Sequence, residues 1–236
     1  MKNGFLIGRQ NYLRSTILCV VCGMSLLLST FANAQVSETP DSVRFKTLGV
    51  LYRAIGALNT RNVRFKALQD DLEDMHPIEP QSMDSAHLAT NLGKITKYLF
   101  FLNSHRSEIT KGVRAFSDSI HMFEQMVNKE EEKKALENFL TAYKDESAAF
   151  IRYSQYLSVM LTDIKLTIVF LQTVPMTLNG KEVTFNTDPS ANQKYIDFEM
   201  KIQEERAKVD EAIEKSIKLT EKENKIIQET LTLFNR

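Results

Sequence analysis

The sequence predicts an all-α fold, an elongated antiparallel bundle of four long helices with coiled-coil-like heptads and a small β-hairpin between the third and fourth. Three observations predict it. Apolar residues recur at alternating steps of three and four along four long stretches. Glycine (8) and proline (5) are scarce in 236 residues, too few for the many turns of an all-β protein. Asn179-Gly180 sits between "MTL" and "KEVTF" beyond the third stretch, a strong short-range signal for a hairpin.

Residues 1–34 read as a cleavable signal peptide. "MKNGFLIGRQNYLR" carries Lys2, Arg9 and Arg14 and no acid, "STILCVVCGMSLLLST" is apolar, and Ala32-Asn33-Ala34 supplies an A-x-A cleavage site. The apolar run is shorter than the ~20 residues of a spanning helix, which favours cleavage over an anchor. Cys19 and Cys22 both fall within it, so the mature chain, residues 35–236, has no cysteine. That excludes disulfides, thiol catalysis, Cys-ligated zinc and Fe–S clusters from it. Removing three of the 30 basic residues leaves 27 against 30 acidic ones, a net charge of −3. Such a balance gives no electrostatic footprint for nucleic acid and no basic excess for an anionic membrane surface. The mature chain is expected to be a single elongated helical-bundle domain.

The first helix, about 41–75, is capped by Asp41 or Ser42 just after Pro40. Its seam is Leu48, Leu51, Ile55, Leu58, Asn62, Phe65, Gln69 and Leu72, and Pro77 and Pro80 break it. The second, about 84–127, is capped by Asp84 or Ser85. Leu88, Leu92, Ile95, Leu99, Leu102, Arg106, Ile109, Val113, Phe116, Ile120, Phe123 and Val127 form its seam. Gly93 and Gly112 within it signify close helix packing, or alternatively a hinge.

Continuing that register would bury Glu130 and Lys134, and a new seam begins at Leu136. It runs through Leu140, Tyr143, Ser147, Phe150, Ser154, Leu157, Leu161, Ile164, Ile168 and Leu171. "NKEEE" is therefore the tip of a helical hairpin, with one bent helix carrying a stutter as the alternative. The third helix then covers about 131–173, and position p of the second lies opposite 260 − p. The apolar patches "YLFFL" and "KLTIVFL" fall at one thick end, and the other end is expected to hold only the second, third and fourth helices. The hairpin occupies about 176–185. The fourth helix, about 189–235, has Asp188 as cap and Pro189 in its first turn. Its seam is Tyr195, Ile202, Val209, Ile213, Ile227 and Phe234. Glu204–Lys208, Glu211–Lys215, Glu214–Lys218 and Glu221–Lys225 are spaced i, i+4, which predicts a helix partly free of tertiary contacts.

Asn62, Gln69, Arg106, Ser147 and Ser154 form a polar seam across the middle of the bundle. Such positions fix register and helix partners; the alternative role is a polar cleft for a ligand or partner helix. Arg106 must find a partner or snorkel out, because an unpaired buried cation is costly. A di-metal site needs inward carboxylates and Glu-x-x-His pairs. Glu73-Asp74-Met75-His76, Asp84-x-x-His87 and Asp118-x-x-His121 offer the spacing, but the heptad phase turns Asp118 and His121 away from the seam. His87 and His105 also miss it, so the histidines are expected in solvent, with no metal and no cofactor. There is no G-x-S-x-G, no Gly-rich phosphate loop and no H-E-x-x-H. The acids are expected on solvated faces such as "NKEEEKK".

The expectation is therefore an exported, non-enzymatic helical-bundle protein acting as a binding or scaffolding component of the cell envelope. It is periplasmic in a double-membrane cell, with full secretion as the other outcome. Its partner is another envelope protein or a second copy of itself, and Met176, Leu178 and Phe185 are the expected contacts. A long bundle with an apolar tip and a β element also resembles, in architecture and not in motif, the α-helical pore-forming toxins of the haemolysin E type. That resemblance implies a membrane-active bundle using the 167–185 tip. The tip is interrupted by Gln172, Thr173, Pro175 and Thr177, which makes membrane contact the lesser expectation.

Overall fold

A computed structural model describes residues 40–75, 84–179, 182–185 and 189–235. The expected signal peptide lies outside them, as do His76, Pro77 and Pro80. All described residues belong to one compact unit, Pro40–Arg236. The helices are α1 (Pro40–Met75), α2 (Ser85–Met126), α3 (Glu130–Thr173) and α4 (Pro189–Phe234), with strands β1 (Thr177–Asn179) and β2 (Glu182–Thr184) between the last two. Each boundary falls within about two residues of its expected place, the scatter normal for helix ends.

Local chemistry explains the ends. Asp84 caps α2, its carboxylate accepting from the backbone N–H groups of Ala86 and His87 at 3.0 Å each. Val127 is extended and buried, which stops α2. Glu130, Glu131 and Glu132 open α3, where carboxylates complement the positive end of the helix dipole. The expected hairpin between α2 and α3 is therefore present, and the bent-helix alternative is not. Its register also holds, since Arg106 donates to the Ser154 carbonyl at 3.4 Å and Phe116 packs on Tyr143. At 1.5 Å per residue, α3 alone spans about 66 Å.

The helices pack in cyclic order. α3 lies most extensively against α4 and next against α2, while α1 touches α2 and α4 more sparingly. This corrects the expectation of a partly free fourth helix: Glu205, Val209, Ala212 and Glu223 are all buried along its charge-rich stretch. The i, i+4 pairs occupy only the outer face, as Glu211–Lys215 does at 2.5 Å.

Two apolar clusters fill the interior. One joins Phe65, Leu102, Phe150, Leu161, Ile168, Phe170 and Tyr195. The other joins Val43, Leu51, Leu58, Ile120, Phe123, Leu136, Phe139, Ile227 and Phe234. The second cluster draws on all four helices, so the end expected to lack α1 contains it. The α1 seam is also corrected. Arg61 and Leu68 are buried and Asn62 is half-buried, while the side chain of Gln69 lies outside the description. Both choices obey the three–four alternation after Leu58, and the alternation alone does not choose between them.

β1 and β2 pair antiparallel, Thr177 with Thr184, Leu178 with Val183 and Asn179 with Glu182. Asn179, expected in the turn, is thus the last residue of β1. Phe185 follows β2 and is 2% exposed, its ring between Phe170 (5.4 Å) and Tyr195 (5.8 Å). It forms core, which corrects the outward-facing role expected of it. Met176 is half-buried against the same cluster, and the side chain of Leu178 lies outside the description. The α3 helix contains a window long and apolar enough to cross a membrane, and in the bundle its inward face packs between α2 and α4.

Truncating Phe185 to Ala leaves a cavity among aromatic rings at that end. The expected loss is about 3–5 kcal/mol of stability in urea unfolding. A loss under ~1 kcal/mol would mean that the hairpin does not seal the core.

Candidate functional site

The two apolar clusters meet at a layer of buried charge. Arg61 follows Leu58 and precedes Phe65 on α1. Glu146 and Ser147 lie between Tyr143 and Phe150 on α3, and Thr220 and Glu223 lie between Ala212 and Ile227 on α4. Arg61, Glu146 and Glu223 are 4%, 1% and 3% exposed. Arg61 Nη1 donates to Ser147 Oγ at 3.2 Å, its Nη2 stands 3.9 Å from Glu146 Oε2, and its guanidinium lies 4.7 Å from the Phe150 ring centroid. Thr220 Oγ1 donates to Glu146 Oε1 at 3.5 Å. The Arg61 atoms Nε and Nη2 have no hydrogen-bond partner among the described residues.

The titrations follow from this crowding. Burial, the hydrogen bond to Glu146 and the Glu146 charge push the Glu223 carboxyl up to about 10, against the pull of Arg61. Glu223 is therefore protonated at neutral pH and the two carboxyls share one proton. Burial lowers the Arg61 pKa, opposed chiefly by Glu146, and raises that of the Tyr143 phenol.

A groove of about 280 Å³ opens onto this layer between α1 and α2. Gly56, Ala57, Thr60, Arg61 and Arg64 line it from α1, His105, Glu108, Ile109 and Gly112 from α2, and Tyr143 reaches it from α3. Arg61 is its floor. Arg64 and Glu108 are exposed at its rim, 3.7 Å apart. His105 is 6% exposed, stacked on Phe101 with ring centroids 5.4 Å apart, and Nδ1 lies 3.3 Å from Glu108 Oε2. Burial lowers its pKa, and Nε2 is unpartnered among the described residues. This corrects the expectation that His105 is solvated. His87 and His121 are exposed, as expected.

The glycines in the groove are not there for close packing. A Cβ on Gly56 would meet nothing within 4 Å, and one on Gly112 only the Tyr143 hydroxyl at 3.9 Å. Gly93, outside the groove, also has open space. The close helix packing expected at Gly93 and Gly112 is not present, and α2 runs unbroken through both.

Of the expected polar seam, Ser147 and Ser154 are buried, and Ser147 joins the charged layer. Arg106 is half-buried on the α2–α3 side, bonded to Asn103, Ser158 and the Ser154 carbonyl. Arg61, His105, Glu146 and Glu223 are the buried polar positions that the seam did not include, Asn62 is half-buried, and Gln69 lies outside the described side chains. Glu132, within the run read as solvated, is also buried and paired with Arg44, whose Nε donates to it at 3.1 Å. No cluster of three or more metal-ligating side chains occurs among the described residues. No family model, curated protein or solved structure matches the chain.

The charged layer has two measurable consequences. Replacing Arg61 by Met leaves Glu146 buried without its cation and is expected to cost about 3–5 kcal/mol. Replacing Arg61, Glu146 and Glu223 together by Met, Leu and Leu is expected to be neutral or stabilising. Urea unfolding of both variants checks the pair.

Glu223 also sets a pH dependence. Its folded pKa is raised, so between about 4.5 and about 10 the unfolded state binds fewer protons than the folded one. Stability from this group is therefore full below the lower value and falls as pH rises through the window. Glu223→Gln should be more stable than the parent at pH 8 by about 1 kcal/mol or more, with the gap closing at pH 4.5. A gap that does not change with pH overturns the shared proton.

Proposed function

We propose that the chain is an exported, non-enzymatic helical bundle that works by binding, as a component of the cell envelope, through the groove between α1 and α2. The observation that carries this reading is the pair of glycines facing the groove. A glycine inside a helix costs ~1 kcal/mol relative to alanine. Gly56 and Gly112 both have room for a Cβ and occupy ordinary helical backbone. Packing and conformation leave that cost without a return, whereas an open groove over a buried guanidinium gives it one. Export is supported by the basic, apolar and A-x-A segments of residues 1–34, and a periplasmic location follows in a double-membrane cell.

The membrane-active reading asks the 167–185 tip to leave the bundle. Phe170 and Phe185 there are buried against Tyr195 and Phe198, and releasing them exposes a large aromatic surface to water. The groove reading needs no such rearrangement.

A photo-crosslinking residue in place of Thr60, on the groove, tests the proposal in the cells that make the protein. The control is the same residue in place of Gln155, exposed on the outside of α3. A discrete added mass at position 60 and none at 155 is the expected outcome. Equal labelling at both positions, or none at either, removes the groove as the binding site.

A further inference from the structure

We propose that the outer face of α1 is a self-docking surface, on which the α1 helices of two copies pack antiparallel about a two-fold axis near residue 50. Its seam of Phe45, Leu48, Gly49, Tyr52 and Ile55 uses none of the residues that line the groove between α1 and α2, so it goes beyond the groove reading.

The outer half of α1 is uncharged. Thr47, Ala54 and Arg61, each a heptad apart, are buried and mark the inward phase of the helix. The positions turned away from them run from Ser42 to Val63, and none carries a charge. The charged residues of the same stretch, Arg44, Lys46, Arg53 and Arg61, lie at other phases. A surface helix normally sets its charges opposite the core, as α4 does with Glu211 and Lys215. On α1, Phe45 is 64% and Val63 69% exposed. Leu48, Tyr52 and Ile55 rest on one apolar cluster and are only half-buried. α1 touches α2 and α4 too sparingly for either to close over this face.

Whatever covers such a face must itself be uncharged, because a charge brought onto it would be buried without a partner. The same face of a second copy meets that condition, and its spacing is self-complementary. Phe45, Leu48, Tyr52 and Ile55 step by three, four and three, an order that reads alike in both directions. Antiparallel pairing about residue 50 puts Phe45 in one layer with Ile55 of the second copy, and Leu48 with its Tyr52, twice each. Gly49 falls beside the axis, next to its own counterpart, where the missing side chain lets the two backbones approach. Asn59 comes opposite Asp41 at the rim, an amide against a carboxylate, and no like charges meet. A lipid surface suits the face less well, since Asn59 and Asn62 would be carried out of water without partners. With the adjoining flanks of α2 and α4 the overlap is about 30 Å by 20 Å, near the ~800 Å² per partner of a specific interface.

Light scattering and thiol crosslinking on residues 35–236 test the pairing. That chain has no cysteine, so one introduced at position 49 or 63 is its only thiol. Twice the mass of one chain is expected at about 50 μM. A short bismaleimide is expected to join Gly49→Cys to its copy and to leave Val63→Cys single, because two residues 63 would stand roughly 39 Å apart along the axis. Phe45→Glu should raise the dissociation constant by about tenfold or more. If that variant does not fold, Gly49→Glu, beside the axis, serves with the same expectation.

A monomer at about 50 μM overturns the proposal. If that monomer binds phosphatidylglycerol vesicles and Phe45→Glu does not, the face belongs to a lipid surface instead. A dimer that crosslinks at 63 as readily as at 49 overturns the antiparallel pairing. A dimer indifferent to both glutamates docks through another face.

Discussion

A guanidinium buried in the middle of the bundle is the constraint on which the rest depends. Arg61 starts on α1 and reaches α3 across the diagonal, where Ser147 and Glu146 receive it, and α4 supplies Glu223 behind them. Stranding any of these groups would leave a buried charge uncompensated, at a cost comparable to a large part of a domain's total stability. The apolar clusters on either side can slide in register at modest cost, because one leucine resembles another. The charged layer cannot. Its residues meet in one alignment of α1, α3 and α4, and the alternation of cluster, layer and cluster fixes that alignment along the axis.

A second ionic contact reinforces the same diagonal. Arg44, near the start of α1, meets Glu132 in the first turn of α3, and Lys129 approaches that carboxylate at 3.6 Å. α1 and α3 run parallel, and these two arginines span a distance that their backbones do not close. Long side chains therefore tie α1 to α3 across the diagonal, in addition to the apolar contacts of Leu51, Leu58 and Phe65 with its neighbours. The groove with Gly56 and Gly112 lies on the α1–α2 side.

The heptads made most of this architecture legible. Four helices, their ends, the α2–α3 hairpin and the register 260 − p all follow from the spacing of apolar residues and from cap chemistry at Asp84. The charged layer was not legible for a physical reason. After Leu58 a step of three reaches Arg61 and a step of four reaches Asn62, and both rejoin at Phe65. On transfer cost alone the neutral amide is the better buried residue. Arg61 is favoured only because Glu146 and Glu223 arrive from 85 and 162 positions further along, and single-helix periodicity contains no such term. Glu132 and His105 were missed likewise, since each is buried by a partner on another helix or by rings stacked from α1 and α2. The Asn-Gly signal located the hairpin, but Asn179 itself pairs with Glu182 as a strand residue.

Around Arg61 the stability of the bundle and the openness of its groove pull in opposite directions. Elsewhere the interior follows the rules of a good core, with Leu51, Ile95, Leu102, Leu136, Leu161 and Ile168 fully buried in two contiguous clusters. Around Arg61 those rules lapse together. Two glycines stand where alanine fits, a guanidinium keeps free donors, a histidine keeps a free acceptor, and a carboxyl is held protonated. Any one lapse is within what an ordinary bundle tolerates. The glycines, Arg61 and His105 line one groove, while Glu223 on α4 lies outside its lining. The groove opens beside this layer, so Arg61 both fixes the register of the fold and lines the gap left along α1 and α2.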